Sequence, residues 1–149
     1  MAVVNQTKKM PFTPRQMYDL VSDIEKYPEF LPYCTGLVIK SQNARGDKVI
    51  KTAEMSIGYK LIKEKITSRI LEDPQQFIIK TSLISGPFSN MENSWEFLPS
   101  ESDGCNVIFS LNYTFSSKMF EAILGNAFDK FFNLFASSFE KRAYEVYGS

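Results

Sequence analysis

Residues 117–149 read SKMFEAILGNAFDKFFNLFASSFEKRAYEVYGS, and this stretch decides the fold. Phe120, Ile123, Leu124, Ala127, Phe128, Phe131, Phe132, Leu134, Phe135, Phe139 and Ala143 recur at steps of three and four. That spacing predicts one long helix from Ser117 to the end. At about 100° per residue the apolar positions fill an arc of roughly 180°, whereas a core-facing helix needs only about 100°. Asp129, Lys130, Asn133, Ser137 and Glu140 keep the other face polar. So wide a stripe requires a concave partner, a lipid, or both.

The partner precedes it. Ala2 to Met10 reads as a first strand, and six more follow at 36–42, 48–56, 60–71, 76–85, 90–98 and 105–116. Hairpin loops are expected at 43–47 and 100–104, which are rich in Asn, Asp, Gly and Ser. Cys105, Val107, Phe109, Leu111, Tyr113 and Phe115 alternate with polar residues, and Met91, Trp95 and Phe97 alternate with Glu92, Ser94 and Glu96. One apolar face per strand belongs to an antiparallel sheet covered on one side. Between the first two strands, Thr13, Pro14 and Gln16 form a capping box that opens a helix carrying Met17, Leu20, Val21 and Ile24. Pro28 ends it, and residues 27–34 form a second, single-turn segment. The fold class is therefore α+β. A strongly curved seven-stranded antiparallel sheet wraps a long C-terminal helix, with two short helices after the first strand, and residues 1–149 make one domain.

The chemistry of the chain argues for binding. It has no histidine, which removes Ser-His and Cys-His nucleophiles, His-ligated metals and the commonest general base. Cys34 and Cys105 form no Cys-x-x-Cys pair and read as buried free thiols. The seven glycines are scattered at turns, so there is no phosphate-binding loop. No catalytic residue, no metal and no required cofactor is assigned. Seventeen basic and seventeen acidic residues balance, so no overall field steers the chain to DNA.

Charge is nevertheless segregated. From Leu37 to Leu71, eight basic residues face three acidic ones, a net +5; from Glu72 to Ser110 the balance is −5. The basic segment is either a solvated sheet face or a docking patch for anionic lipid or RNA, with Lys48, Lys51, Lys63 and Lys65 as its candidate residues. No signal peptide and no run of 18 uncharged apolar residues is found, so the reading is a cytoplasmic protein whose contact with the inner membrane, if any, is peripheral.

Aromatic area exceeds what one helix on one sheet needs. Phe30, Leu31, Phe88, Trp95, Phe97, Phe109, Tyr113, Phe120, Leu124, Phe128 and Phe131 are the candidate lining of an elongated apolar cavity between sheet and helix. The stripe Phe120, Leu124, Phe128, Phe131 is its expected helical wall, and Phe30 with Leu31 its expected door. If Ile62, Ile66 and Ile70 face inward, parity brings Glu64 and Ser68 inward too, as possible polar contacts for a ligand oxygen. A bulge, or a place at the open rim, would take Glu64 out of the cavity.

Three blocks complete the reading. They are Val21-Ser22-Asp23-Ile24-Glu25-Lys26-Tyr27-Pro28-Glu29-Phe30-Leu31-Pro32-Tyr33-Cys34, then Gly86-Pro87-Phe88 with Met91 and Trp95-Glu96-Phe97, then Lys141-Arg142-Ala143 with Val146-Tyr147-Gly148. Together they resemble the coenzyme Q-binding and ribosome-association-toxin family, a START-like branch of the polyketide cyclase/dehydrase and lipid transport superfamily. Tyr33 stands where that family commonly has Trp, Met91 where Leu is usual, and Asn93 where a small residue is common. The resemblance implies a helix-grip fold with a hydrophobic tunnel. It implies non-catalytic binding of ubiquinone or a related isoprenoid lipid in support of respiratory electron transport. It also implies a possible toxin role on the large ribosomal subunit that blocks subunit joining, and the superfamily contains polyketide cyclase-like enzymes.

Overall fold

A computed structural model describes residues 2–148; the expected continuation of the last helix and domain to Ser149, and of the domain to Met1, lies outside them. The described elements are β1 (Ala2–Met10), α1 (Pro14–Ser22), a 3-10 turn (Ile24–Lys26), α2 (Tyr27–Phe30), β2 (Cys34–Arg45), β3 (Lys48–Tyr59), β4 (Ile62–Asp73), β5 (Ile78–Ser85), β6 (Phe88–Pro99), β7 (Cys105–Phe115) and α3 (Lys118–Tyr147). The seven strands form one antiparallel sheet in the order β1-β7-β6-β5-β4-β3-β2. It is a meander from β2 to β7 with β1 returned to the β7 edge. Register shifts in β2–β3, β4–β5 and β6–β7 bend the strands, since a bulge raises local twist.

Local chemistry sets the boundaries. Thr13 accepts from the Gln16 amide while Gln16 Oε1 accepts from the Thr13 amide, so the capping box that opens α1 is closed on both sides. Ser117 caps α3 by accepting from the Phe120 amide. The loop expected at 43–47 tightens to Gly46 and Asp47 between Arg45 and Lys48, with Gly46 at φ 63° as the first position of a II′ turn requires. The 100–104 loop is as expected. There a Cβ on Gly104 would lie 2.2 Å from the Met10 carbonyl oxygen, so no other residue fits. The β3–β4 turn falls on Lys60-Leu61, which carry no turn signal, and β3 therefore runs three residues past its expected end.

α3 is 30 residues and about 45 Å long. It buries Leu124, Phe128, Phe131, Phe132, Phe135, Ala136, Phe139 and Ala143 against the concave face of the sheet. Its C-terminal half is held hardest. Phe139 meets the rings of Tyr27 at 5.0 Å, and of Phe30, Trp95 and Phe135 at 5.1 Å each. In the N-terminal half Phe120 and Ile123 are only partly covered, so the sheet grips part of the 180° apolar arc and leaves the rest open.

One ion pair is buried among the described residues. Lys51 stands opposite Ile70, and both face inward. Its Nζ lies 2.8 Å from Glu72 Oε2 and donates to the Ser22 carbonyl at 3.2 Å. Glu72 Oε2 accepts no hydrogen bond among the described residues, so Lys51 meets it as an ion contact. Burial raises the Glu72 carboxyl pKa above its ordinary value against the opposing pull of Lys51. Lys51→Met should thus cost about 3 kcal/mol in urea unfolding by stranding a buried carboxylate, whereas Lys51→Met with Glu72→Leu should be neutral or more stable. A raised carboxyl pKa favours the fold at low pH and loses that contribution as pH rises through it, so the double variant should gain on the parent as pH increases.

Candidate functional site

Between α3 and β2–β7 lies an apolar cavity of about 80 Å³. Ile66, Ile70, Ile79, Met91, Trp95, Phe109 and Leu111 line it from the sheet, Ile24 and Tyr27 from the entry segment, and Phe132 and Phe135 from α3. A void of about 150 Å³ just holds a benzene-sized molecule. Entry of any larger ring must therefore move Phe132, Phe135 or the strands facing them.

Three polar side chains interrupt this lining: Ser68, Thr81 and Asn93. Thr81 and Asn93 are direct cross-strand partners on β5 and β6. Ser68 on β4 is diagonal to Thr81, whose own β4 partner is Ile70. Asn93 Nδ2 donates to the Ser110 carbonyl at 2.9 Å, which fixes the amide. Its other N–H and its oxygen have no partner among the described residues, and neither do the hydroxyls of Ser68 and Thr81. Polar groups in an apolar enclosure are normally paired, and small-molecule sites use a few such groups to orient a ligand.

Of the residues expected from sequence, Trp95, Phe109 and Ser68 line this cavity. The helical wall is displaced: Phe132 and Phe135 face the space, while Leu124, Phe128 and Phe131 are packed into the core and Phe120 is 37% exposed. Phe128 is taken up by Phe88, with ring centroids 5.1 Å apart, and Phe97 stacks on Trp95. The expected door is filled: Leu31 is buried, and Phe30 sits between Phe139 and the Arg142 guanidinium. Tyr113 donates its hydroxyl to Asp129, so it turns away from the cavity. Glu64 shares the concave parity of Ile66 and Ser68. Four residues nearer the β3–β4 turn, it lies about 13 Å away at the rim, beside Lys63, Lys65, Ile57 and Thr35. Sequence reasoning passed over Thr81 and Asn93, although Asn93 lies in phase with Met91 and Trp95.

The proposed basic patch does not assemble. Lys51 points into the concave face, as described, and Lys48 lies 3.9 Å from Asp73. Lys63 and Lys65 are at the opposite end of the same strands and on the convex side, with Lys65 shared with Glu54 at 3.6 Å. Parity explains the error: residues 48 and 51 fall on opposite faces, and ten residues of strand separate position 48 from position 58, about 33 Å. Burial pushes the Cys34 and Cys105 thiols up to about 11, so both are neutral thiols at physiological pH. No group of three His, Cys, Asp or Glu converges on a metal-sized site among the described residues.

The family description "Polyketide cyclase / dehydrase and lipid transport" matches residues 10–140. The ribosome association toxin RatA of Rickettsia prowazekii is 36% identical over 143 residues, covering 94% of each chain. The mitochondrial coenzyme Q-binding protein COQ10 of Dictyostelium discoideum is 29% identical, covering 96% of this chain and 69% of that one. Among solved structures, the Zhui aromatase/cyclase from Streptomyces superposes with a TM-score of 0.78 at 13% identity, covering 97% of this chain and 95% of the other, a likeness of fold alone.

Because the cavity hydroxyls are unpaired in the fold, Ser68→Ala and Thr81→Val should leave stability unchanged or raise it by up to about 1 kcal/mol in urea unfolding. A loss larger than that would mean the hydroxyls are bonded within the protein.

Proposed function

Since the chain belongs to the polyketide cyclase/dehydrase and lipid transport family, in the branch that includes RatA and COQ10, we propose that it is a non-catalytic binder of an isoprenoid quinone, ubiquinone or a near relative. It would hold this ligand between α3 and the sheet in support of respiratory electron transport. The observation that carries this reading is the apolar cavity whose wall holds the free hydroxyls of Ser68 and Thr81 and the Asn93 amide, bonded through one N–H alone. Hydroxyl and amide N–H groups match the carbonyl oxygens of a quinone ring, and the surrounding Ile, Met and aromatic side chains match its methyl groups and tail. Each buried CH₂ of the tail adds about 0.8 kcal/mol, which offsets the separation of α3 from the sheet that entry requires. Among the described residues no carboxylate, lysine or cysteine lines the cavity, and its one ionisable side chain, Tyr27, donates its hydroxyl to the Val21 carbonyl at 2.5 Å. That lining supports binding rather than acid–base catalysis. No cofactor is needed, and a cytoplasmic location with peripheral access to the inner membrane fits the ligand.

Trp95 lies on the cavity wall and reports on it. Delipidated protein titrated with ubiquinone in dilute detergent should show saturable quenching of Trp95. Thr81→Val with Asn93→Leu should weaken the affinity by about tenfold or more. An unsaturable response, or an affinity indifferent to both substitutions, contradicts the reading.

The 36% identity to RatA favours a second reading, association with the large ribosomal subunit. Its contact would use the convex face of β3 and β4, where Lys63 and Lys65 lie, rather than Lys51. Lys63→Glu with Lys65→Glu should then abolish co-sedimentation with large subunits, and the parent's binding should fall steeply with salt. Co-sedimentation unchanged by the substitutions ends this reading.

A further inference from the structure

The β3–β4 hairpin closes between Tyr59 and Ile62 with only Lys60 and Leu61 in its turn. Two-residue turns favour Asn-Gly or Asp-Gly, because the turn demands positive φ. Here Lys60 takes φ 55° and Leu61 is 98% exposed. A left-handed lysine and a fully solvated leucine both disfavour the fold, and such departures cluster where a surface is used.

The turn lies against α3. Lys130 Nζ is 3.3 Å from the Tyr59 hydroxyl and 5.4 Å from the centre of its ring, and Lys60 Nζ is also 5.4 Å from that centre. At 100° per residue, Met119, Ile123 and Leu134 lie within about 40° of Lys130 around α3. Met119 is 63% and Ile123 57% exposed. Leu61 lies two residues beyond Tyr59, and Ile123 and Met119 stand about 10 and 16 Å from Lys130 along its face of α3, so the apolar border runs from the turn along the helix.

Its charge is positive. Lys60 and Lys63 form no ion pair among the described residues, and Glu64 is the one acidic side chain of the hairpin end. Glu121 and Asp129 lie on the other flank of α3, beside Tyr113. We propose that the protein docks on an anionic bilayer through this border, with Leu61, Met119 and Ile123 entering the acyl layer and Lys60, Lys63 and Lys130 meeting headgroup phosphates. An RNA surface would satisfy the lysines and leave the three apolar side chains in water; a bilayer satisfies both. The docked tip also leads to the cavity, since Ile62, Glu64, Ile66 and Ser68 form one concave row running inward from the turn. The proposal extends the quinone-carrier reading by placing the carrier at its lipid source, and rests on it for purpose only.

The test is flotation with vesicles of phosphatidylcholine, with and without phosphatidylglycerol, comparing the parent with Leu61→Asp/Ile123→Asp. Both positions are exposed, and urea unfolding checks that the variant folds. The parent should bind the anionic vesicles more tightly and lose binding with salt, and the variant should partition at least about tenfold more weakly. Trp95 titration in detergent should be the same for both. A parent that floats with neither vesicle, or a variant that floats like the parent, overturns the proposal. So does a variant that loses large-subunit co-sedimentation while keeping its vesicle binding. Vesicle docking that follows these expectations in a protein whose Trp95 never responds to quinone supports the docking and removes the carrier reading instead.

Discussion

Everything in this molecule depends on the contact between Phe139 and the aromatic wall formed by Tyr27, Phe30, Trp95 and Phe135. Edge-to-face pairs of this kind add about 0.5–1.5 kcal/mol each beyond the area they bury. They pin the C-terminal half of α3 to the sheet and to the short helices together. Buried Ala143, at 0% exposure, extends the pinned region by another turn. The middle of the helix is held as well, by Phe128 against Phe88 and Phe132 against Tyr113, whereas its first two turns carry the part-exposed Phe120 and Ile123. A helix fixed at one end and loosely covered at the other can yield locally without unfolding the domain, and lower local stability is where binding regions are drawn from.

The polar groups of the concave face divide along the same axis. At the end near α1, Lys51 and Glu72 are buried, paired and tied to the Ser22 carbonyl, which orders the short helices over the sheet. In the middle, Ser68, Thr81 and Asn93 keep bonding capacity that the fold does not use. At the far end Tyr59 and Lys130 bridge the hairpin to α3, a contact exposed to solvent and correspondingly easy to break. One concave surface thus runs from a structural ion pair through a polar trio with spare bonding capacity to a weakly closed rim.

The long helix, seven strands and their antiparallel order were legible because α3 carries its period over eight turns, β7 alternates over its eleven residues and β6 alternates from Met91 to Phe97. The site was legible in part. Trp95 and Phe109 follow from strand parity, and so does Ser68. The same parity brings Asn93 inward and Lys51 with it, but polar residues in phase with apolar ones read as exceptions until pairing partners are known. On α3 the apolar arc was so wide that its cavity-facing edge was ambiguous. Sheet curvature, set by register shifts, selects Phe132 and Phe135 over Phe128 and Phe131. The Lys60-Leu61 turn was hidden because neither residue is a turn former.

The most direct measurement is the mass spectrum of what the protein carries. Chain purified from its native host without detergent and extracted with organic solvent should release isoprenoid quinone in near-stoichiometric amount. An extract that contains no quinone, from protein that is folded and was never exposed to detergent, would contradict the account.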